Sequence, residues 1–397
     1  MAEDIKRVLT INSCSSSIKF SLYHIGLYGY EGLKLSGKLE RIGLENGAFE
    51  ARDSSGKIIK DEKMRTPGHE DAVKLLFDWI KTIPDGERLD GVGHKIVHGG
   101  TRHSRTSLIN KELILTLKRI VPFAPERLPY EIKAIEAIEK SFPEIKQIAC
   151  FDTAFHRNMP EVAKMFPIPL YLRDEGVIRY GFHGLSYEYI LSELKESAGD
   201  KVAAGRVIIA RLGNGCSMAA VSNGKPVDTT MGFTPLGGLI MGTRAGDMDP
   251  GVIIYLLKEK GLDADQVNEL LSRGSGLLGL SGLSSEMRDL LNKADDEPRA
   301  AMAVDLFCYQ ARKFLGGLIV ALGGVDTFVF TGGIGENSPE IREKICRELE
   351  FLGIVLDAKK NASNASVISH YKSHAVVRVI KTNEERMIAR HTVRILS

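Results

Sequence analysis

The stretch "NSCSSSIK", residues 12–19, sets an amide, four serines and a thiol between two apolar runs and ends in a lysine. Backbone N–H groups and hydroxyls in a tight turn form a concavity that holds an anion. Lys19 adds a cation suited to phosphate. Asn12 offers an amide oxygen to a metal ion or a bridging water. A second polar turn, "RLGNGC" (211–216), and a glycine-rich strand exit, "FTGGIGENS" (330–338), repeat the theme. A strand that feeds glycines into a helix start brings backbone close to a nucleotide. Neither a GxxxxGK[ST] loop nor a GxGxxG after the first strand is present, so nucleotide binding would use a cleft between two related domains.

Other polar clusters could act on a phosphoryl group. "HKIVHGG" (94–100) places Lys95 and His98 on or after a buried strand. "CFDTAFH" (150–156) puts Asp152 at a strand end, a frequent place for a functional carboxylate in α/β folds. "RYGFHG" (179–184) sets His183 before a helix, and "MGTRAGDMDPG" (241–251) holds Arg244, Asp247 and Asp249 among glycines without a calcium-loop register. "TNEE" (382–385) gives two carboxylates at a helix start. Each has a humbler reading: a histidine that caps a helix, an aspartate that fixes a loop, glutamates that complement a helix dipole. Together they supply metal-site acids, cations and backbone cradles, the inventory of phosphoryl transfer.

These residues need elements to hold them. Strands are expected at 7–12, 18–24, 33–39, near Phe49, and at 92–97 and 145–151, with helices at 69–81 and 131–140. After a proline-bearing stretch at 155–176 the theme restarts. Strands at 207–211 and 217–221 flank the second polar turn. Helices follow at 251–260, 264–271, 286–291 and 300–322, then a strand at 327–331, a helix at 339–351, a strand at 375–380 and a final helix from about Asn383. The pattern is one α/β theme used twice, each copy opening with a hairpin.

The 397 residues exceed one compact core, so two domains are expected. A net charge of +2 points to neither nucleic acid nor a membrane surface. The longest apolar run, 314–324, is too short to span a bilayer. The opening "MAEDIKR" is charged and carries no apolar run, so no secretory leader is expected. Cys14, Cys150, Cys216, Cys308 and Cys346 are odd in number and scattered, without disulfide or CxxC patterning. A reducing cytoplasm is expected.

With these residues in view, the chain resembles the acetate and propionate kinases, relatives of the sugar kinases, actin and heat-shock chaperone ATPases. The resemblance runs in order through "NSCSSSIKF", "HKIVHGG", "FDTAFHRNMP", "RYGFHG", "RLGNG", "VDTTMGFTPLGGLIMGTRAGDMDP", "SGLLGLSGLSSEMRD", "FTGGIGENS" and "TNEERMIAR". It implies an α/β chain with two domains of duplicated ribonuclease-H-like, actin-like ATPase topology around a nucleotide cleft. One domain would span 1–152, joined by the helix 386–397, and the other 153–385. It also implies a homodimer that transfers the γ-phosphoryl of ATP reversibly to a short carboxylate, with Mg2+, or Mn2+ in its place. Asn12 and Glu384 would hold the metal, and Lys19 would contact the phosphates. Asp152 would be the essential carboxylate, interacting with the metal and orienting the substrate, while His183 and Arg244 would stabilise the moving phosphoryl group. Arg211, Leu212, Gly213, Asn214 and Gly215 would approach the ATP phosphates. Glu286, Met287 and Arg288, with Gly333, Ile334, Gly335, Glu336 and Asn337, would frame the adenosine. Lys95 would meet the substrate carboxylate, and Val97, Phe182 and Pro235 would line the acyl pocket.

The chain departs from the family pattern at several of these places. Lys95 stands where the family has Arg, Glu126 where it has an apolar residue, and Arg127 and Arg211 where it has His. Glu286 replaces an Asp, Gly237 a Glu and Cys14 a Gly. Glu126 is expected to pair with Lys95 or Arg211. A raised Michaelis constant for acetate, or a shift to another short acid such as propionate, is also expected. A nucleotide-binding regulator that has lost transfer is the competing class. Retention of Asn12, Asp152, His183, Arg244 and Glu384 speaks against it.

Overall fold

The computed structural model describes residues 5–26, 31–83 and 88–397. The chain divides into two compact units, Met1–Phe155 with Asn383–Ser397, and His156–Thr382.

The first unit is built on an eight-stranded sheet. β1 (Ile5–Ser13), β2 (Ser17–Gly26), β3 (Glu31–Glu40), β4 (Ala48–Asp53) and β5 (Ile58–Lys63) form an antiparallel meander. β6 (Gly91–Ile96) and β8 (Gln147–Phe151) add in parallel beyond β1, and the short β7 (Ser107–Leu108) closes the edge. β1 is buried on both faces, so its side chains alternate between two apolar layers. Leu9 and Ile11 pack with Leu76, Phe77 and Ile138 from the helices His69–Ile80 and Leu128–Ser141. Val8 packs on the opposite face with Ala389 and Val393 of the helix Glu384–Leu396.

The second unit carries a five-stranded sheet. β9 (Arg206–Leu212), β10 (Cys216–Ser222) and β11 (Lys225–Thr229) form the meander, and β12 (Thr327–Thr331) and β13 (Val376–Val379) add in parallel beyond β9. The order β11-β10-β9-β12-β13 repeats the β3-β2-β1-β6-β8 core of the first sheet, direction by direction. The duplication expected from the two polar hairpins is present in the strand order.

The strand β5 and the helix Lys111–Arg119 were not expected from sequence. β5 is an exposed edge strand, "IIKDEK", whose charges discourage further pairing and mask the strand pattern. The helix Lys111–Arg119 starts from the Asn110 side chain, which accepts the Leu113 N–H at 2.8 Å. The helix expected over 339–351 ends at Cys346, and a 3-10 turn at Glu350–Leu352 follows.

One contact positions the site above all. A Cβ on Gly93 of β6 would lie 2.2 Å from Thr392 Oγ1 and 2.7 Å from Ile388 Cγ2. The bare glycine backbone is what lets the helix Glu384–Leu396 seat on β6. Gly93→Val should therefore lower stability by about 2 kcal/mol or more through overpacking, because the obstruction includes the backbone of that helix, Ile388 O, at 3.4 Å. Urea unfolding of the variant measures this, and an unchanged midpoint would disprove the packing argument.

Candidate active site

Strand and helix periods explain how the first cluster forms. Residues 93 and 95 of β6 point to one face of the sheet, about 7 Å apart. Residues 392, 388 and 384 descend one side of the helix in steps of about 6 Å. With Thr392 and Ile388 over Gly93, the next turn brings Glu384 over Lys95. The Lys95 Nζ donates to Glu384 Oε2 and lies 3.2 Å from Asp152 Oδ2. All three residues are buried, at 6%, 7% and 3% exposure. Asp152 is placed by the sheet: β6 and β8 run parallel, and its N–H closes the ladder on Ile96 O at 2.8 Å. Helix capping places Glu384. The Asn383 side chain accepts the Arg386 N–H at 2.8 Å, and Arg386 and Arg390 both bind Glu31 at 2.6 Å.

Asn12 and Lys19 face each other across the β1–β2 hairpin. Asn12 Oδ1 is buried and has no hydrogen-bond partner among the described residues. The turn between these strands is tied down by His69, whose Nε2–H donates to Cys14 O at 2.8 Å. Burial lowers the pKa of His69, which keeps the ring neutral. Arg127 Nη1 lies 3.4 Å from Cys14 Sγ. Val97, at the exit of β6, is buried, and its N–H is held by Glu131 Oε2 at 2.9 Å.

The second unit gathers another group. His183 caps the helix Gly184–Ala198 in the left-handed region, φ 59°. Its Nδ1 is 2.7 Å from Ser217 Oγ, which also bonds the Tyr187 hydroxyl. A Cβ on Gly215 would lie 3.3 Å from His183 Nε2 and 3.7 Å from Arg244 Nη1, so the polar turn, the histidine and the arginine converge. Arg244 Nη1 also donates to Pro235 O at 3.1 Å, and Arg211 Nη1 to Gly215 O at 3.1 Å. The loop that carries Arg244 is bound to the turn by Gly242 N–H to Asn214 O at 3.1 Å. Phe182 is buried, and its carbonyl accepts from His156 Nε2–H at 3.0 Å. His156 is a fully buried ring whose pKa is pushed down to about 4 by desolvation, so it acts as a neutral donor.

The glycine-rich strand exit adjoins this turn. Gly332, at φ +78°, would place a Cβ 2.6 Å from Leu212 O. Gly333, Ile334, Gly335, Glu336 and Asn337 form the short helix Gly332–Asn337. Glu336, read as an adenosine residue, accepts the N–H groups of Gly332 and Thr382 at its Oε1, at 2.8 and 3.0 Å. Arg342 is wholly buried and donates to Gly335 O, Asn361 O and Oδ1, and Asn364 Oδ1. Of the other adenosine residues, Met287 is buried, while Glu286 and Arg288 are exposed.

Two residues assigned separately from the sequence are in contact. Lys95, given to the substrate, and Glu384, given to a metal, form an ion pair, and the lysine joins Glu384 to Asp152. His69, Glu131, His156, Ser217 and Arg342 were not singled out at all. Their signal is weak because each works through a backbone group or another side chain, from an element that reads as ordinary helix or strand.

A family model described as "Acetokinase family" matches residues 7–390. The acetate kinase of Methylocella silvestris is 44% identical over 399 residues, covering 98% of each chain. That of Rhodopseudomonas palustris is 45% identical over 392 residues, again covering 98% of both. The chain belongs to the acetokinase family. Among solved structures, an acetate kinase from Porphyromonas gingivalis superposes with a TM-score of 0.89 at 39% identity, over 99% of this chain and 100% of that one. A propionate kinase from Francisella tularensis gives 0.91 at 34% identity, over 97% and 98%. As an acetokinase, the chain is a phosphotransferase with a carboxyl group as acceptor.

In such an enzyme the Ser217 hydroxyl fixes the His183 ring and directs Nε2 to the polar turn. Ser217→Ala should lower kcat about tenfold, the worth of roughly one hydrogen bond, and leave the Michaelis constant for ATP nearly unchanged. Steady-state kinetics of the soluble variant check this. An unaltered kcat would remove Ser217 from the argument.

Proposed function

We propose that the chain transfers the γ-phosphoryl of ATP reversibly to acetate, giving acetyl phosphate and ADP. The observation that carries this reading is the buried Lys95 between Asp152 and Glu384. Two formal negative charges and one positive charge leave a surplus negative charge in a desolvated place, which suits a further cation. Asn12 Oδ1, an orphaned buried oxygen, and the Glu384 carboxylate are hard oxygen donors of the kind Mg2+ prefers. They would hold the ion, which when bound neutralises phosphate charge as ATP reacts. Mn2+ would fit the same donors.

The acceptor needs no strong base, since a carboxylate has no proton to lose at neutral pH. Asp152 therefore serves to orient and to balance charge. Lys95 offsets one of the two buried negative charges and offers a third N–H to the incoming carboxylate. His183 and Arg244, converging on Gly215, are placed to stabilise negative charge on the transferred group. The backbone of residues 211–215 and 333–337, with Lys19, would receive the nucleotide, and Val97, Phe182 and Pro235 the acyl group.

Lysine is a point charge where an arginine would give a planar fork. Shared between two acids, it holds acetate less firmly than the fork would. Lys95→Arg should lower the Michaelis constant for acetate several-fold, and Lys95→Met should cut kcat/KM about a hundredfold or more. A hydroxamate assay with formate, acetate, propionate, butyrate and glycolate measures this. No hydroxamate from any acid would favour the regulator reading.

A homodimer is part of the proposal. The helix Pro250–Lys258 has no buried residue, although it reads "PGVIIYLLK". Ile254 and Tyr255 are each about half exposed, at 53% and 50%. Such a face is covered in most soluble proteins. Sedimentation should give twice the 43.6 kDa of the chain, and Ile254→Glu should return the single-chain mass. The five free thiols suit a reducing cytoplasm.

A further inference from the structure

Glu131 is a carboxyl with no place in the scheme above, and it touches the proposed acyl pocket. It lies on the helix Leu128–Ser141 and is 1% exposed. The β6–β8 ladder ends where Asp152 N–H meets Ile96 O. The N–H of the same peptide, that of Val97, points the other way, toward the β1 side, beyond the last β1–β6 pair, Ile11 and His94. Glu131 Oε2 supplies its acceptor at 2.9 Å, from the helix that covers the sheet. Oε1 is buried, with no hydrogen-bond partner among the described residues.

We propose that Glu131 is a positioning residue for the substrate carboxylate, fixing Val97 and, two residues upstream, the strand end that presents Lys95. The proposal rests on the assignment of Val97 and Lys95 to the acceptor site. A buried N–H left without an acceptor costs free energy, and the strand exit would shift to find water. An ionised acid here would repel a carboxylate substrate, so the role calls for an acceptor oxygen without a charge. Burial pushes the Glu131 pKa up to about 8, with Asp152 adding to the rise and the Val97 N–H, Arg127 and Lys95 opposing it. Near neutral pH the group is a carboxylic acid that still accepts from Val97. Glutamine would do the same, and leucine would not.

The test uses the full chain, with acetate and MgATP. Wild-type hydroxamate formation first establishes the reaction, so failure of the functional reading shows there and not in the variants. Glu131→Leu should raise the Michaelis constant for acetate about tenfold, with that for ATP within about threefold, and Glu131→Gln should stay near wild type. Should the leucine variant fail to fold, wild type and Glu131→Gln suffice. Above pH 8 Glu131 ionises, so the wild-type acetate constant should climb while that of Glu131→Gln stays flat.

Stability follows the same sign. Between the ordinary carboxyl range and pH 8 the unfolded chain has lost this proton and the folded chain keeps it, so wild type loses stability as pH rises. The melting temperature of Glu131→Gln relative to wild type should grow from pH 5 to 8 and level off above. Parallel pH profiles for the two proteins, or equal rises in both Michaelis constants for Glu131→Leu, would overturn the proposal.

Discussion

The first unit turns on one ammonium group. Lys95 is buried against two carboxylates that come from distant parts of the chain, one at the end of β8 and one at the start of the final helix. Burying charge is costly, and a buried pair seldom adds stability over an apolar substitute. A polar cluster kept under those conditions is better explained by what it specifies. Here it fixes the relative placement of a sheet edge and a helix end to within a hydrogen bond. The glycine at position 93 and the Glu31 clamp on Arg386 and Arg390 both serve that placement.

The second unit solves a similar problem with contacts to hydroxyl and backbone groups. Its histidine is oriented by a hydroxyl, and its glycine-rich exit is braced by Glu336 and by the buried Arg342. Among the described residues, the hydrogen bonds of Arg342 go to carbonyl and amide oxygens, so its charge spreads over several dipoles. The two copies of one topology thus hold their polar hairpins by different chemistry. This is what low identity between the copies allows: strand order persists while the bracing residues diverge.

Much of this was legible from sequence because it rests on local pattern. Two hairpins with polar turns announced the repeated topology, and Asp152 and His183 followed from their places at a strand end and a helix start. What escaped depends on contacts between distant segments. Nothing local in "EIKAIEAIEK" distinguishes Glu131 from a solvent-facing helix glutamate, since its burial arises only when the helix docks over β6. Lys95 could be read as a cation near substrate, but its two carboxylate partners lie 57 and 289 residues further on. Edge strand β5 hid behind its charges for the opposite reason, being so exposed that no apolar alternation marks it.

The helix that seats on Gly93 also sets an order of assembly. It belongs to the first unit, yet the entire second unit lies between it and the strands it covers. On the ribosome, the sheet that emerges first must wait with one apolar face bare, Val8, Tyr23 and Ile25 included, until the last helix is made. The unit whose strands come first is therefore the one completed last. During that interval its exposed layer is the part of the nascent chain that most needs shielding from other chains.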